Sequence, residues 1–280
     1  MLQMLYCITK NERKLKMLIQ FLVNTIKKII GKQKRGKERL RLEKVVCGIL
    51  YYLRTGCTWR FLPPAFGNFN TIAGWFRKLS KLEIFSNSWI HMLKQAQKYG
   101  ILKLKHILFD GSLTCAFSDV KNAEKNARNR NKRSLNRQLL TDSQSIPLAF
   151  ILAKGNSHDT SFAIELIDRA SEYLKLPHNF YGHGDKGYDS LHNRWQISQR
   201  GGIACIPVRN IGYKTKYPKQ KDKYRPHVER SFAWINRFKA TINITLRSIN
   251  TIFQAYTLVF ICIASRFFNF KNMKNLIGSI

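Results

Sequence analysis

The chain has 280 residues, 44% apolar and 12% aromatic, enough to bury one sizeable core and a smaller companion, which excludes a disordered basic tail. Against 16 Asp and Glu stand 49 Lys and Arg, a formal charge of +33; such a field selects a polyanion as partner without naming an activity. The six cysteines (Cys7, Cys47, Cys57, Cys115, Cys205, Cys262) form no Cys-x-x-Cys pair, which argues against a zinc ribbon or a secreted disulfide framework and fits a reducing, cytoplasmic setting.

The first residues, MLQMLYCITK, are apolar but meet Lys10 early and lack a small-residue cleavage site, so no signal peptide is expected. Over residues 12–30, Leu15, Leu18, Ile19, Leu22, Ile26 and Ile29 recur at helical spacing with lysines between them, predicting an amphipathic helix. A basic linker, GKQKRGKERLR, leads to a second helix stopped by Gly56, and Pro63, Pro64 and Gly67 mark a turn before a third helix near 69–80. Three short helices with basic loops point to a helix-turn-helix-like DNA-binding domain over residues 1–100. Within it Trp59, Phe61, Phe66, Trp75 and Phe76 read as core, and Arg54, Arg60, Arg77 and Lys78 as phosphate contacts.

From residue 104 the texture becomes β-rich. KHILFDGSL reads as a strand, and RQLLTDSQSIPLAFILAKG as a hairpin turning at Asp142 to Ser145. A helix over about 158–174, a strand (HNFYGHG), a helix (DSLHNRWQISQR), a strand (IACIPV), a lysine-rich loop over 209–223 and a long helix follow. This order predicts an α/β fold, a mixed sheet flanked by helices, over residues 101–280. The stretch from Lys121 to Arg133 is the nearest thing to a disordered loop. Between Arg247 and Arg266 an apolar run is interrupted by Asn250, Thr251, Gln254 and Thr257, so a buried helix is expected there and no membrane partner.

In a chain so poor in acids, three stand out: Asp110 and Asp185 each end an apolar run, and Glu229 sits in a basic helix, YRPHVERSFAWINRFKAT. Phosphodiester cleavage and strand transfer need an activated oxygen nucleophile and a stabilised leaving oxygen, which two divalent ions roughly 3.5–4 Å apart supply. Mg²⁺ takes hard oxygen ligands, so a few carboxylates suffice. Arg225, four residues before Glu229 on one helix face, is placed to orient that acid or grip a phosphate. Asp159 and Asp189 read as helix caps, and Lys186 as a DNA contact.

The motifs resemble those of DDE-type insertion-sequence transposases of the IS-four/IS-five superfamily. GILYYLRTGCTWRFLPPAFGNFNTIAGWFRK is similar to the family's helical segment, with Gly56, Trp59, Leu62, Pro63 and Gly67 in the pattern; FDGS carries Asp110, IPLAFILAKGNSHD the hairpin and its His-Asp, GDKGYDS Asp185, and RPHVERSFAWINRFK Glu229. The resemblance implies a ribonuclease-H-like core in which Asp110, Asp185 and Glu229 bind Mg²⁺ (or Mn²⁺), the terminal inverted repeats and target DNA as partners, a homodimer on DNA, and a nucleoid-associated, cytoplasmic place of work. In the family's Tyr-x-x-Arg-x-x-x-Glu-x6-Lys signature the tyrosine and lysine places hold Asp222 and Asn236 here, with Tyr224, Arg237 and Lys239 nearby as substitutes at the DNA. The alternative reading is a catalytically inactive, transposase-derived DNA-binding protein.

Overall fold

The apolar N-terminus folds as α1 (Leu2–Thr9), and the amphipathic run behind it as α2 (Glu12–Ile30), whose N-cap Asn11 accepts from the Lys14 N–H. The computed structural model describes residues 2–9, 11–31, 41–117, 119–208 and 221–280. Most of the basic linker and of the lysine-rich loop expected at 209–223 lies outside them. Next come α3 (Leu42–Thr55), ended by Gly56 in the left-handed conformation, α4 (Phe69–Lys81) and α5 (Ile84–Lys98). Phe66 and Phe76 are fully buried and Trp59 stacks on buried Tyr52 at 3.9 Å, whereas Phe61, expected in the core, is 77% exposed.

The sheet follows: β1 (His106–Cys115), β2 (Glu124–Asn126), β3 (Lys132–Asp142), β4 (Pro147–Lys154), then α6 (Ala163–Ser171), β5 (Phe180–His183), α7 (Leu191–Gln199), β6 (Gly202–Cys205) and α8 (Lys221–Asn236). The stretch expected as a loop over Lys121–Arg133 instead carries β2, which extends the sheet by pairing with the start of β3. β3 lies antiparallel to β1 and β4, while β1, β5 and β6 run parallel, giving the order β2-β3-β1-β5-β6 with β4 also on β3. The hairpin turn forms because the buried Asp142 carboxylate accepts from the N–H groups of Lys103, Gln144 and Ile146 at 2.8–3.0 Å. Gly155 allows β4 to leave the sheet: a Cβ there would lie 2.0 Å from the Ser134 carbonyl oxygen.

The chain ends in α9 (Ile249–Ala264) and α10 (Phe270–Gly278). It divides into two compact units, Met1–Tyr99 with Ile235–Ile280, and Gly100–Trp234. Residues 235–280, expected with the sheet, thus pack with the N-terminal helices. The reason lies in α9, which is buried from Ala255 to Ala264 on every face and needs helices around it. Its polar residues serve those neighbours. Gln254 accepts from the Ser86 N–H at 3.0 Å, satisfying a donor in the first turn of α5, and Asn250 donates to the Ser80 carbonyl at 3.2 Å. Among the described residues no helix is long and apolar enough to cross a membrane.

Candidate active site

Asp110 lies within β1 and Asp185 two residues beyond β5. The two strands pair in parallel as His106↔Tyr181, Ile107↔Gly182 and Leu108↔His183. Both acids follow the last of these pairs by two residues, and the Asp185 charge acts on Asp110. Each carboxylate is oriented locally: Asp110 accepts from the Gly111 N–H at 2.9 Å, and Asp185 from the Gly187 N–H at 2.7 Å, which starts the short 3-10 turn Lys186–Tyr188. The approach needs Gly184, because a Cβ there would stand 2.7 Å from the Phe109 ring.

A third acid arrives from the loop after β4. Asp159 does not cap the helix that follows; its Oδ1 accepts from Gln138 Nε2 at 2.6 Å and Asn136 Nδ2 at 3.2 Å, two buried amides of β3. Its Oδ2 faces the Asp185 loop, since a Cβ on Gly187 would lie 2.7 Å from Asp185 Oδ1 and 3.4 Å from Asp159 Oδ2. Thr160 Oγ1 donates to the Gly187 carbonyl at 3.1 Å, and Asn193 Nδ2 donates to the carbonyls of Thr160 and Tyr188 at 2.9 Å, so the two acid-bearing loops are bonded together. Behind them the fully buried Tyr188 donates its hydroxyl to Gln138 Oε1 at 2.5 Å. Asp189 does not cap α7 either. Ser190 does, while Asp189 pairs with Arg194 at 2.9 Å.

The electrostatics follow from burial first and from the neighbouring acids second. Burial pushes the Asp110 carboxyl up to about 7, with Asp185 and Asp159 adding to the rise and the Gly111 N–H and Arg225 opposing it. The Tyr188 hydroxyl is raised well above its usual range by burial, with Asp110, Asp159 and Asp185 contributing.

Glu229 lies on α8, where it pairs with Arg225 at 3.2 Å; both side chains are mostly exposed. Arg225 acts on Asp110 and so links Glu229 to the other acids. Among the described residues no three His, Cys, Asp or Glu side chains stand close enough to hold one ion, so Glu229 is not gathered with Asp110 and Asp185 as the side chains lie. The carboxylates of Asp110, Asp185 and Asp159 nonetheless offer hard oxygen donors of the kind a divalent cation takes.

The expected DNA contacts fall in both units. Lys186 and Arg225 are exposed in the sheet unit. In the helical unit Arg60, Arg77, Lys78, Arg237 and Lys239 are exposed, with the Lys78 ammonium over the Trp75 ring at 5.2 Å. Arg54 is engaged structurally, donating to Cys7 Sγ at 3.1 Å and to the Arg237 carbonyl. By sequence the helical unit holds 26 of the Lys and Arg but only 4 of the Asp and Glu.

The sequence reading missed Asp159, Gln138 and Tyr188 as members of this cluster. A signal existed in the His158-Asp159 pair after the hairpin, but a cap accounted for it equally well.

Comparison with known proteins accords with this geometry. Residues 102–264 match the transposase DDE domain, and residues 22–89 the model for transposases of the IS4/5 family. Over 121 residues the chain is 31% identical to the "Putative transposase for insertion sequence element IS402" of Burkholderia cepacia, a match covering 41% of this chain and 54% of that protein. The chain thus spans about half the length of that curated relative. With more than half of its residues under the DDE-domain match, the chain belongs to the IS4/IS5 family of DDE transposases.

Proposed function

We propose that this protein binds the terminal inverted repeats of a mobile element and catalyses divalent-metal-dependent DNA strand cleavage and strand transfer. The reading includes a ribonuclease-H-like core, a helix-turn-helix-like reader in the N-terminal helices, and work as a homodimer on DNA at the nucleoid. The observation that carries it is the placement of Asp110 beside Asp185, at neighbouring parallel strands, inside the DDE-domain match.

Asp110 and Asp185 would hold Mg²⁺ or Mn²⁺, with Asp159 beside them and Glu229 completing the set from α8. Bound there, the ions supply an activated water or 3′-hydroxyl and charge neutralisation at the phosphorus. The residues of the chain do the rest. Gly111 and Gly187 aim one oxygen of each aspartate through their N–H groups, and the Gln138 and Asn136 amides hold Asp159 against rotation. Arg225 offers a planar guanidinium to a non-bridging phosphate oxygen once it leaves Glu229. Lys186, Arg237, Lys239 and the basic residues of the N-terminal helices contact backbone phosphates.

The exposure of Glu229 and its pairing with Arg225 favour a second reading, a catalytically inactive DNA-binding protein derived from a transposase. One experiment separates them: Mg²⁺-dependent cleavage of a terminal-repeat oligonucleotide by the wild type and by Asp110→Asn, Asp185→Asn and Glu229→Gln. The enzyme reading expects cleavage abolished in each variant with end binding retained. Salt-sensitive binding without cleavage in the wild type would establish the second.

A further inference from the structure

The start of α8 is the mechanically weak part of the proposed site. Pro226 lies inside the helix and has no N–H, so the carbonyl four residues back, that of Asp222, receives no helical bond, and the pyrrolidine ring crowds it. The turn that bears Tyr224 and Arg225 is therefore joined to the rest of α8 by fewer backbone bonds, and its direction depends on tertiary contact.

That contact is a stack of rings. His106 of β1 lies between Tyr181 of β5 and Tyr224 of α8, at 4.9 Å and 12° to the first and 4.0 Å and 17° to the second. His106 Nδ1 is 3.0 Å from Nε2 of His183, whose ring is buried and lies 4.9 Å from Tyr224. Both strands that deliver the acids thus contribute rings to the floor under Tyr224. His106 and Asp110 fall on the same face of β1, being four residues apart in a strand of period two, and Tyr181 precedes Asp185 by the same four residues. Further along α8, the Ser231 hydroxyl donates to the Ser145 carbonyl at 2.9 Å and Phe232 lies under Arg137 at 5.4 Å, so the later turns have anchors of their own.

We infer that Tyr224 is a positioning residue: its stack on His106 sets the first turn of α8, and with it the Arg225–Glu229 pair, against the two acid-bearing strands. The roles of Arg225 and Glu229 rest on the function proposed above; the stack as the anchor of α8 does not.

The test uses the full chain with Tyr224→Ala, Tyr224→Phe, His106→Ala and His106→Phe. Two quantities are read: backbone hydrogen exchange of residues 227–231, and single-turnover cleavage of a terminal-repeat oligonucleotide alongside its binding. Both alanine variants are expected to exchange about tenfold faster in α8, the scale of one lost aromatic pair, and to cleave about tenfold more slowly with end affinity unchanged. Tyr224→Phe keeps the stack and should restore the wild-type values, whereas His106→Phe keeps the ring but loses the bond to His183 and should recover only part of them. Wild-type exchange in Tyr224→Ala, or failure of Tyr224→Phe to rescue, would overturn the inference, and Tyr224→Ala decides it alone if His106→Ala does not fold. Should the wild type itself not cleave, the enzyme reading falls, and hydrogen exchange still decides the stack.

Discussion

Gln138 donates its side-chain amide to Asp159 at 2.6 Å across 21 residues of sequence, and this bond holds a cap-capable acid at the Asp185 loop instead. Gln138 also accepts from Tyr188, so Gln138→Leu leaves the buried Tyr188 phenol without its acceptor and takes from Asp159 Oδ1 the shorter of its two amide donors. We expect it to lower stability by about 2–3 kcal/mol, the usual cost of leaving buried polar groups unpaired, read as a fall in the urea midpoint at constant slope. Asp159→Asn keeps the shape and should fold, yet slow cleavage at least tenfold; full activity in that variant would remove Asp159 from the site.

The protonation of Asp110 has a defined sign. Burial, with Asp185 and Asp159, raises its pKa from 3.8 to about 7, and burial raises that of Asp142 to about 6. The folded protein therefore holds protons that the unfolded chain sheds near pH 4, so their stabilisation is full below that pH and lost as pH rises through about 6–7. The urea midpoint should fall between about pH 4 and pH 7 and level off above that. Asp110→Asn should show a shallower fall, retaining the share of Asp142. Mg²⁺ at pH 8 should stabilise the wild type and leave Asp110→Asn nearly unmoved.

Gly155→Ala is expected to be among the most damaging single-methyl additions in the sheet unit. Its Cβ would meet the Ser134 carbonyl at 2.0 Å and that of Glu124 at 2.8 Å, both backbone atoms that cannot swing away. We expect a loss of more than about 2 kcal/mol, in the range of overpacking. Gly74→Ala, where a Cβ meets nothing within 4 Å, is the control and should be neutral or stabilising.

The basic residues of the helical unit should separate by their neighbours. Arg60, Arg77 and Lys78 are exposed, and replacing any one by Ala should leave folding intact while lowering the salt dependence of end binding by about one unit of slope. Arg54→Ala should also destabilise the fold, because its guanidinium bonds Cys7 and the Arg237 carbonyl. Equal salt slopes for the wild type and the Arg60, Arg77 and Lys78 variants would remove those positions from the DNA interface.

What the sequence alone determined was local: the helix over 12–30 with its spaced leucines and isoleucines, the left-handed stop at Gly56, the hairpin turn at Asp142, and the delivery of Asp110 and Asp185 from apolar runs. Spacing, caps and turns are interactions among residues a few positions apart, so a single chain displays them. Tertiary structure decided the rest. The hydropathy of α9 announces burial but not by which helices, so the return of residues 235–280 to the N-terminal helices could not be read from it. An aspartate before a helix can cap or reach elsewhere, and the buried amides of Asn136 and Gln138 settled the choice for Asp159. Tyr224 carries no mark of its task until folding brings His106, more than a hundred residues earlier, beneath its ring.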